Sequence, residues 1–353
     1  MSSKINKALY VTEDVQFVTR DDLQHEAAAT NELLVETSYS GANPADIKHA
    51  TLLGIRPAVL GYDFAGRVVR APPASGFKEG DAVAGYTPSG LGRPLKYGTH
   101  QGFLAVPCDM VFKIPPNLTE AHAAALPIVV MTAADVVHNV FKLPLPTNPS
   151  YSSHPILIWG ASSAVGLSIL QLARASGCKN IFVTASPARH DILRGLGATH
   201  TFDYSSTNIV EEIKSAVSAL GEGPITHAVD AVGTEGRPSS ADLVAQSVGE
   251  QTVLCSVVLR PGTAFQLPLA MIKDEWNIHP TGAPAPITIL PRAADHWNSW
   301  SVLQWVITNY GKEFKIPSIH VLDVTAEEAL GELMKIQDGK RGFGKVVFKH
   351  PLK

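Results

Sequence analysis

The sequence predicts an α/β protein in which a β-rich, partly closed barrel is joined to a doubly wound parallel sheet. Three observations carry that prediction. Residues Pro155 to Arg189 read as strand, small-residue turn, helix and second strand, a βαβ unit of the dinucleotide-binding kind. Strand and helix patterns go on alternating after it, which requires a parallel sheet. Before it, the chain is a series of short apolar runs separated by glycine and proline, and similar runs return at the carboxyl end.

In chain order, KALYVT, DVQFVT, ELLVETSYSGANP and VLGYDFAGRVV read as strands and turns with no long helix between Ile5 and Gly66. Glu79 to Val83 is a turn entering another strand, and Gly98 to Val106 is one more. Helical composition first appears over Leu118 to Ala125, with Thr119 as N-cap, and over Pro127 to Phe141. The βαβ unit follows, with its second strand at Ile181 to Ala185. The next predicted elements are a helix from Ala188 to Leu196, a strand from His200 to Phe202, a helix from Asn208 to Leu220 and a strand from His227 to Val232. A helix from Ser240 to Ser247 and a strand from Gln251 to Val257 complete the alternation. WNSWSVLQWVITNYG is helical, and Ala326 to Gln337 is a last helix among short strands that rejoin the barrel. The expected partition is 1–127 for the first part of the catalytic domain, 128–311 for the nucleotide-binding domain, and 312–353 for the return.

The turn Gly160 to Gly166 is short and nearly free of side chains, as it must be if a pyrophosphate is to reach the amides at a helix N-terminus. Gly160, Ser162, Ser163, Ala164, Val165 and Gly166 are therefore the candidate phosphate-binding residues. Ser163 stands where the motif has its middle glycine; its Cβ crowds the phosphate, while its hydroxyl can donate to it. Enzymes that use NAD carry an acidic residue near the end of the second strand, and here that region reads Thr184-Ala185-Ser186-Pro187-Ala188-Arg189. Ser186 and Arg189 can donate to a 2′-phosphate that a carboxylate would repel, and Tyr204 can contact adenine or ribose. The expected cofactor is NADPH.

With 353 residues, 45% of them hydrophobic and 17% charged, the chain is long enough for two cored domains. A net charge of −3 without any basic block gives nucleic acid no footprint. No apolar run approaches the roughly eighteen residues of a membrane span, and the amino terminus lacks a signal core, so the expected location is cytoplasmic. Cys108, Cys178 and Cys255 are too scattered for a disulfide framework or a thiolate metal cluster.

NPADIK (Asn43 to Lys48), LGYDFAGRVV, GDAVAG, AAALP, GASSAVG, GLGATHTFDY and VDAVG together carry a resemblance over essentially the whole chain. The sequence resembles the medium-chain dehydrogenase/reductase superfamily, which implies a GroES-like barrel around an inserted Rossmann domain. Zinc alcohol dehydrogenases of that superfamily use a cysteine and a Gly-His-Glu motif for their catalytic metal. Here those positions fall in Asn43-Pro44-Ala45 and Gly61-Tyr62-Asp63, without thiolate or imidazole, so no metal is expected. KLPLPTNPS, the serine-rich turn, TASP-x-R, FDY and the proline-rich stretch after Trp276 are similar to the fungal trans-acting enoyl reductases of polyketide synthases, of the lovastatin enoyl reductase kind.

That likeness implies hydride transfer from NADPH to an enoyl thioester delivered on a polyketide synthase acyl carrier domain. It places Lys48 and Thr132 at the reacting centre, where a donor must meet the negative charge that builds on the carbonyl oxygen. Each has a plainer reading. Lys48 suits a solvated surface, and a helical threonine commonly bonds back to its own turn. Tyr62 is either an acid or an aromatic core residue in a lost ligand's place, and His49, His122 and His138 read as structural or exposed. An NADPH:quinone oxidoreductase and a non-redox binding or pericyclic protein stay open as alternatives. The prolines between Trp276 and Pro291 argue against an edge-to-edge sheet dimer, so a monomer is expected.

Overall fold

The long strand Glu32–Gly41 organises the first half of the molecule, because three other strands take their register from it. It pairs antiparallel with Asp63–Arg70, Phe103–Pro107 and Lys345–Lys349, and it alternates buried Leu33 and Val35 with more exposed neighbours. Lys345–Lys349 brings in Ile319–Leu322 in parallel, while Asp63–Arg70 continues to Ala82–Tyr86 and then Val111–Lys113, making seven strands. A small sheet of Phe17–Arg20, Ala8–Val11 and Ala58–Val59 lies in the same unit. Helix Ala326–Gln337, started by a capping box between Thr325 and Glu328, buries Ala326, Ala329 and Leu333 against Leu9, Val11, Ile47 and Phe348. This is the GroES-like barrel.

The structure is a computed structural model that describes residues 7–23, 28–269 and 271–353. It divides into two units, one of Met1–Ile128, Asp274–Pro291 and Pro317–Lys353, the other of Val129–Lys273 and Arg292–Ile316. No helix among the described residues is long and apolar enough to cross a membrane.

The second unit is a five-stranded parallel sheet in the order His200–Asp203, Ile181–Ala185, Ile156–Trp159, His227–Asp230, Val253–Ser256. The first four strands in chain order each feed a helix, as the alternation requires: Ala164–Ala175, His190–Leu196, Ile209–Leu220 and Ser240–Ser247. Leu157, Trp159 and Phe182 close its core with Ile209, Ile213 and Val244. The order reverses at Ile156–Trp159, so the turn after that strand stands at the topological switch point, where such sheets bind ligands.

Two sequence expectations are corrected. The stretch before Gly66 contains a nine-residue helix, Ala45–Leu53, which stops at Gly54 with φ 70°. Its buried residues are Asp46, Ile47 and Ala50, and a carboxylate among them hides the apolar stripe from pattern reading. The proline-rich segment, in turn, is not an edge of the parallel sheet. Trp276–Ile278 and Ile287–Ile289 form a hairpin of their own in the first unit. His279 and Thr281 donate backbone N–H groups to Leu53 and Leu52 at the end of the new helix, at 2.8 and 2.9 Å. The parallel sheet ends, among the described residues, on Val253–Ser256, whose outer side is met by Gln266. The prolines shape that hairpin, and the edge argument for a monomer does not apply to it.

A chain of buried polar side chains ties the new helix into the barrel. Asp46 Oδ2 accepts from the Asn43 N–H at 2.8 Å and stands 3.0 Å from His100 Nε2. His100 Nδ1 meets Ser40 Oγ at 2.7 Å, and Ser40 Oγ meets His350 Nε2 at 2.8 Å. Burial, with His100 nearby, pushes the His350 imidazole down from 6.5 to about 3. Between those values the unfolded chain binds a proton that the folded chain refuses, so stability falls as pH falls below 6.5. Between pH 7 and pH 5 the loss due to this ring is about 2 kcal/mol. His350→Gln, which keeps a partner for Ser40, is expected to lose about 2 kcal/mol less than the parent over that interval in urea titrations.

Candidate active site

Strand Ile156–Trp159 runs into Gly160, whose φ of 77° is a glycine conformation. A Cβ at Gly160 would lie 2.3 Å from Val232 Cγ1, and one at Gly166 would lie 2.5 Å from the Gly160 carbonyl. Helix Ala164–Ala175 therefore starts hard against the strand. The amides of Ala164 and Val165, at its first two positions, have no acceptor among the described residues. Ser162, Ala164 and Val165 are partly exposed. That is a cradle for an anion.

Ser163 is the helix N-cap. Its Oγ accepts from the Gly166 N–H at 3.0 Å and donates to the Ala231 carbonyl at 3.0 Å. A hydroxyl has one proton, and this one is used inside the protein. The expectation that Ser163 donates to phosphate is corrected accordingly.

Twenty-four residues on from the turn's first glycine, Thr184 fixes that turn by accepting from the Gly160 N–H at 3.0 Å. Ser186 and Arg189 follow the second strand in a short helical turn and are both partly exposed, while Tyr204 is exposed after the third strand. No carboxylate stands between Thr184 and Arg189. Asp203, at the end of the third strand, is held by the Ser205 hydroxyl and amide, which lower its pKa. These residues fit a dinucleotide.

Thr132 lies on helix Pro127–Ala134, buried, with Oγ1 4.0 Å from Met271 Sδ. The helix continues as a π-turn, Asp135–Val140, anchored through the buried Asp135 carboxylate. Asp135 accepts from Arg292 at 2.9 Å, from the Leu269 amide at 2.6 Å and from Asn139 at 2.8 Å.

In the first unit, Lys48 is partly exposed on helix Ala45–Leu53, and among the described residues its ammonium has no hydrogen-bond or ion-pair partner. The motif positions that hold zinc in the resembled alcohol dehydrogenases are engaged otherwise. Asp63, fully buried, accepts from the Ile128 amide and from Asn43 Nδ2, each at 2.8 Å, and lies 3.4 Å from the Lys345 ammonium. Lys345 also donates to Asn43 Oδ1. Burial raises the Asp63 carboxyl, and Lys345 and Asn43 oppose the rise. Both carboxylate oxygens are satisfied and a cation already faces them, so this donor set does not fit a tetrahedral zinc.

Tyr62 belongs to a second cluster that sequence reading divided among unrelated roles. Its phenol oxygen is 2.9 Å from His49 Nδ1 and 3.4 Å from Ser89 Oγ. The Arg93 guanidinium lies 4.4 Å from the Tyr62 ring centre, held by the carbonyls of Gly61, Val59, Pro88 and Tyr97. His49 packs edge to Tyr62 and 6.0 Å from the Trp276 ring, and burial lowers its pKa to about 4. Sequence reading leaves His49 structural or exposed, and its position directly after Lys48 is the one signal for more.

Comparison with known proteins gives two domain matches. Residues 29–116 match the alcohol dehydrogenase GroES-like domain, and residues 164–278 match the zinc-binding dehydrogenase domain. The chain is 34% identical over 208 residues to the trans-enoyl reductase himH of Aspergillus japonicus, a match spanning 58% of this chain and 59% of that protein. It is 28% identical over 341 residues to the trans-enoyl reductase resD of Aspergillus sclerotiorum, spanning 90% and 92%. Among solved structures, the CurK enoyl reductase superposes with a TM-score of 0.70 at 19% identity, covering 98% of this chain and 99% of the other, and shares its fold.

Gly160→Ala forces a left-handed backbone on an L-residue and drives its methyl into Val232. The expected cost is about 2 to 3 kcal/mol of unfolding free energy, with loss of dinucleotide binding. Ser163→Ala removes the N-cap and the bond to the Ala231 carbonyl without straining the backbone and is expected to cost about 1 to 2 kcal/mol. Denaturant titration of both variants checks the ranking.

Proposed function

We propose, from the premise that the chain belongs to the medium-chain dehydrogenase/reductase superfamily, that it is a zinc-independent enoyl reductase. It uses NADPH to saturate the α,β-double bond of an enoyl thioester carried on the acyl carrier domain of a polyketide synthase. The observation that supports this most directly is the pairing, in one chain, of a complete nucleotide turn with a catalytic unit whose metal-ligand positions are taken up by internal bonds. The names of the relatives, trans-enoyl reductases, agree with it.

In this reading the amides of Ala164 and Val165, with Ser162, hold the pyrophosphate. Gly160 and Gly166 keep the turn tight against it, Ser163 fixes the helix start, and Ser186 and Arg189 bind the 2′-phosphate. Tyr204 covers the adenosine. NADPH, when bound, supplies a hydride for the β-carbon. Lys48 brings a full positive charge, unneutralised by any described carboxylate, to the oxygen on which the electron pair gathers. Thr132 offers a hydroxyl to the carboxamide or to that oxygen.

NADPH is expected to support turnover and NADH to fall well short of it. Arg189→Ala removes a charge-assisted bond, so its NADPH dissociation constant is expected to rise at least tenfold in a fluorescence titration. Lys48→Ala is expected to lower turnover of a 2-enoyl thioester on the order of 10²- to 10³-fold with an unchanged unfolding midpoint. Chelators are expected to leave the parent rate as it is. NADPH consumption with crotonyl and longer 2-enoyl thioesters, run beside a quinone, tests the whole assignment; turnover of the quinone alone contradicts it.

A further inference from the structure

The reduction leaves one step without a residue, the return of a proton to the α-carbon. The cluster on the first unit is built for it. Tyr62 is 5% exposed, and the two groups that meet its phenol oxygen, His49 and Ser89, are partly exposed. Lys48 precedes His49 on the same helix. Trp276, from the proline-rich hairpin, completes the ring cluster. Its Nε1–H is buried and has no acceptor among the described residues, beside Gly90. An unfilled buried donor costs stability unless something arrives to take it.

We propose that Tyr62 is the acid that protonates the substrate α-carbon, and that the Trp276 indole N–H donates to the thioester carbonyl oxygen while it does so. The inference rests on the enoyl reductase reading given above. As hydride reaches the β-carbon, the π-electron pair of the double bond moves toward the α-carbon and the carbonyl oxygen, where the Trp276 N–H meets the charge. The enolate then forms a C–H bond at the α-carbon with the Tyr62 phenolic proton, and the O–H bonding pair stays on the oxygen as phenolate. That phenolate is provided for. Ser89 donates an O–H to it, His49 in its neutral Nδ1–H form donates a second bond, and the Arg93 guanidinium lies against its ring. Burial holds the phenol above its ordinary value, and Arg93 and Ser89 oppose that rise. Water at the partly exposed edge of His49 and Ser89 restores the proton.

The test is reduction of crotonyl thioester by NADPH in deuterium oxide, with the configuration of deuterium at the α-carbon read by NMR. The parent is expected to place deuterium at one α-position. Tyr62→Phe, which keeps the ring over Arg93, is expected to turn over roughly 10²-fold more slowly or worse and to scramble the α-position, since solvent then delivers the proton from either face. Trp276→Phe is expected to lower kcat/KM about tenfold and keep the parent configuration. Parent-like rate and configuration in Tyr62→Phe overturn the acid assignment while leaving the enoyl reductase reading intact. No reduction of any 2-enoyl thioester by the parent, with NADPH bound, overturns that reading and this inference together. Unchanged kcat/KM in Trp276→Phe removes the indole from the site.

Discussion

The buried carboxylate of Asp63 is the constraint on which the first unit depends. It stands at the start of strand Asp63–Arg70, Asn43 follows the long strand Glu32–Gly41, Lys345 opens the returning strand, and Ile128 lies on the helix that leaves the unit. A carboxylate and an ammonium both taken out of water cost several kcal/mol each unless every lone pair and proton is met. Here they are met by one another, by an amide and by a backbone N–H, and three distant parts of the chain must be in place for that to happen. Groups committed to such a centre are not available to ligate a tetrahedral zinc.

A second buried chain, from Asp46 through His100 and Ser40 to His350, holds the helix that carries Lys48 and His49. Its members come from positions as far apart as 40 and 350, with no spacing to join them, which is why no sequence pattern announced it. Local signals were legible because their physics is local. The strand, turn and helix at Ile156–Ala175, the capped helix Ser240–Ser247 and the helix Ala326–Gln337 follow from period, caps and punctuation within a few residues. Helix Ala45–Leu53 was missed because its buried face includes Asp46, whose partners lie on other elements.

The hairpin shows a different limit. Prolines do exclude a continuous ladder, and that inference from sequence was physically sound. What the sequence could not supply was the address: the segment lies with the first unit, where His279 and Thr281 cap the end of helix Ala45–Leu53 and Trp276 joins Tyr62 and His49. A feature read as protection against self-association packs instead against the helix that carries His49. Tyr62 changes meaning for the same reason. An isolated aromatic in a former ligand position is bland, whereas a phenol held between an imidazole and a hydroxyl over a guanidinium is a group with a defined charge environment.

Ser163 shows how a departure from a motif can be compensated by the structure around it. A middle glycine is needed where backbone must take a positive φ or come closer to a ligand than a Cβ permits. Ser163 has φ −67° and ψ 157°, ordinary extended values for an N-cap, so conformation does not demand glycine there. Its hydroxyl binds the Gly166 amide and the Ala231 carbonyl, tying the helix start to the loop after the fourth strand. With the Gly166 N–H bound internally, the amides of Ala164 and Val165 are the ones at the helix start without an acceptor among the described residues. The added side chain thus fixes the turn through internal bonds, and a turn fixed in advance lowers the ordering entropy that any ligand would have to overcome.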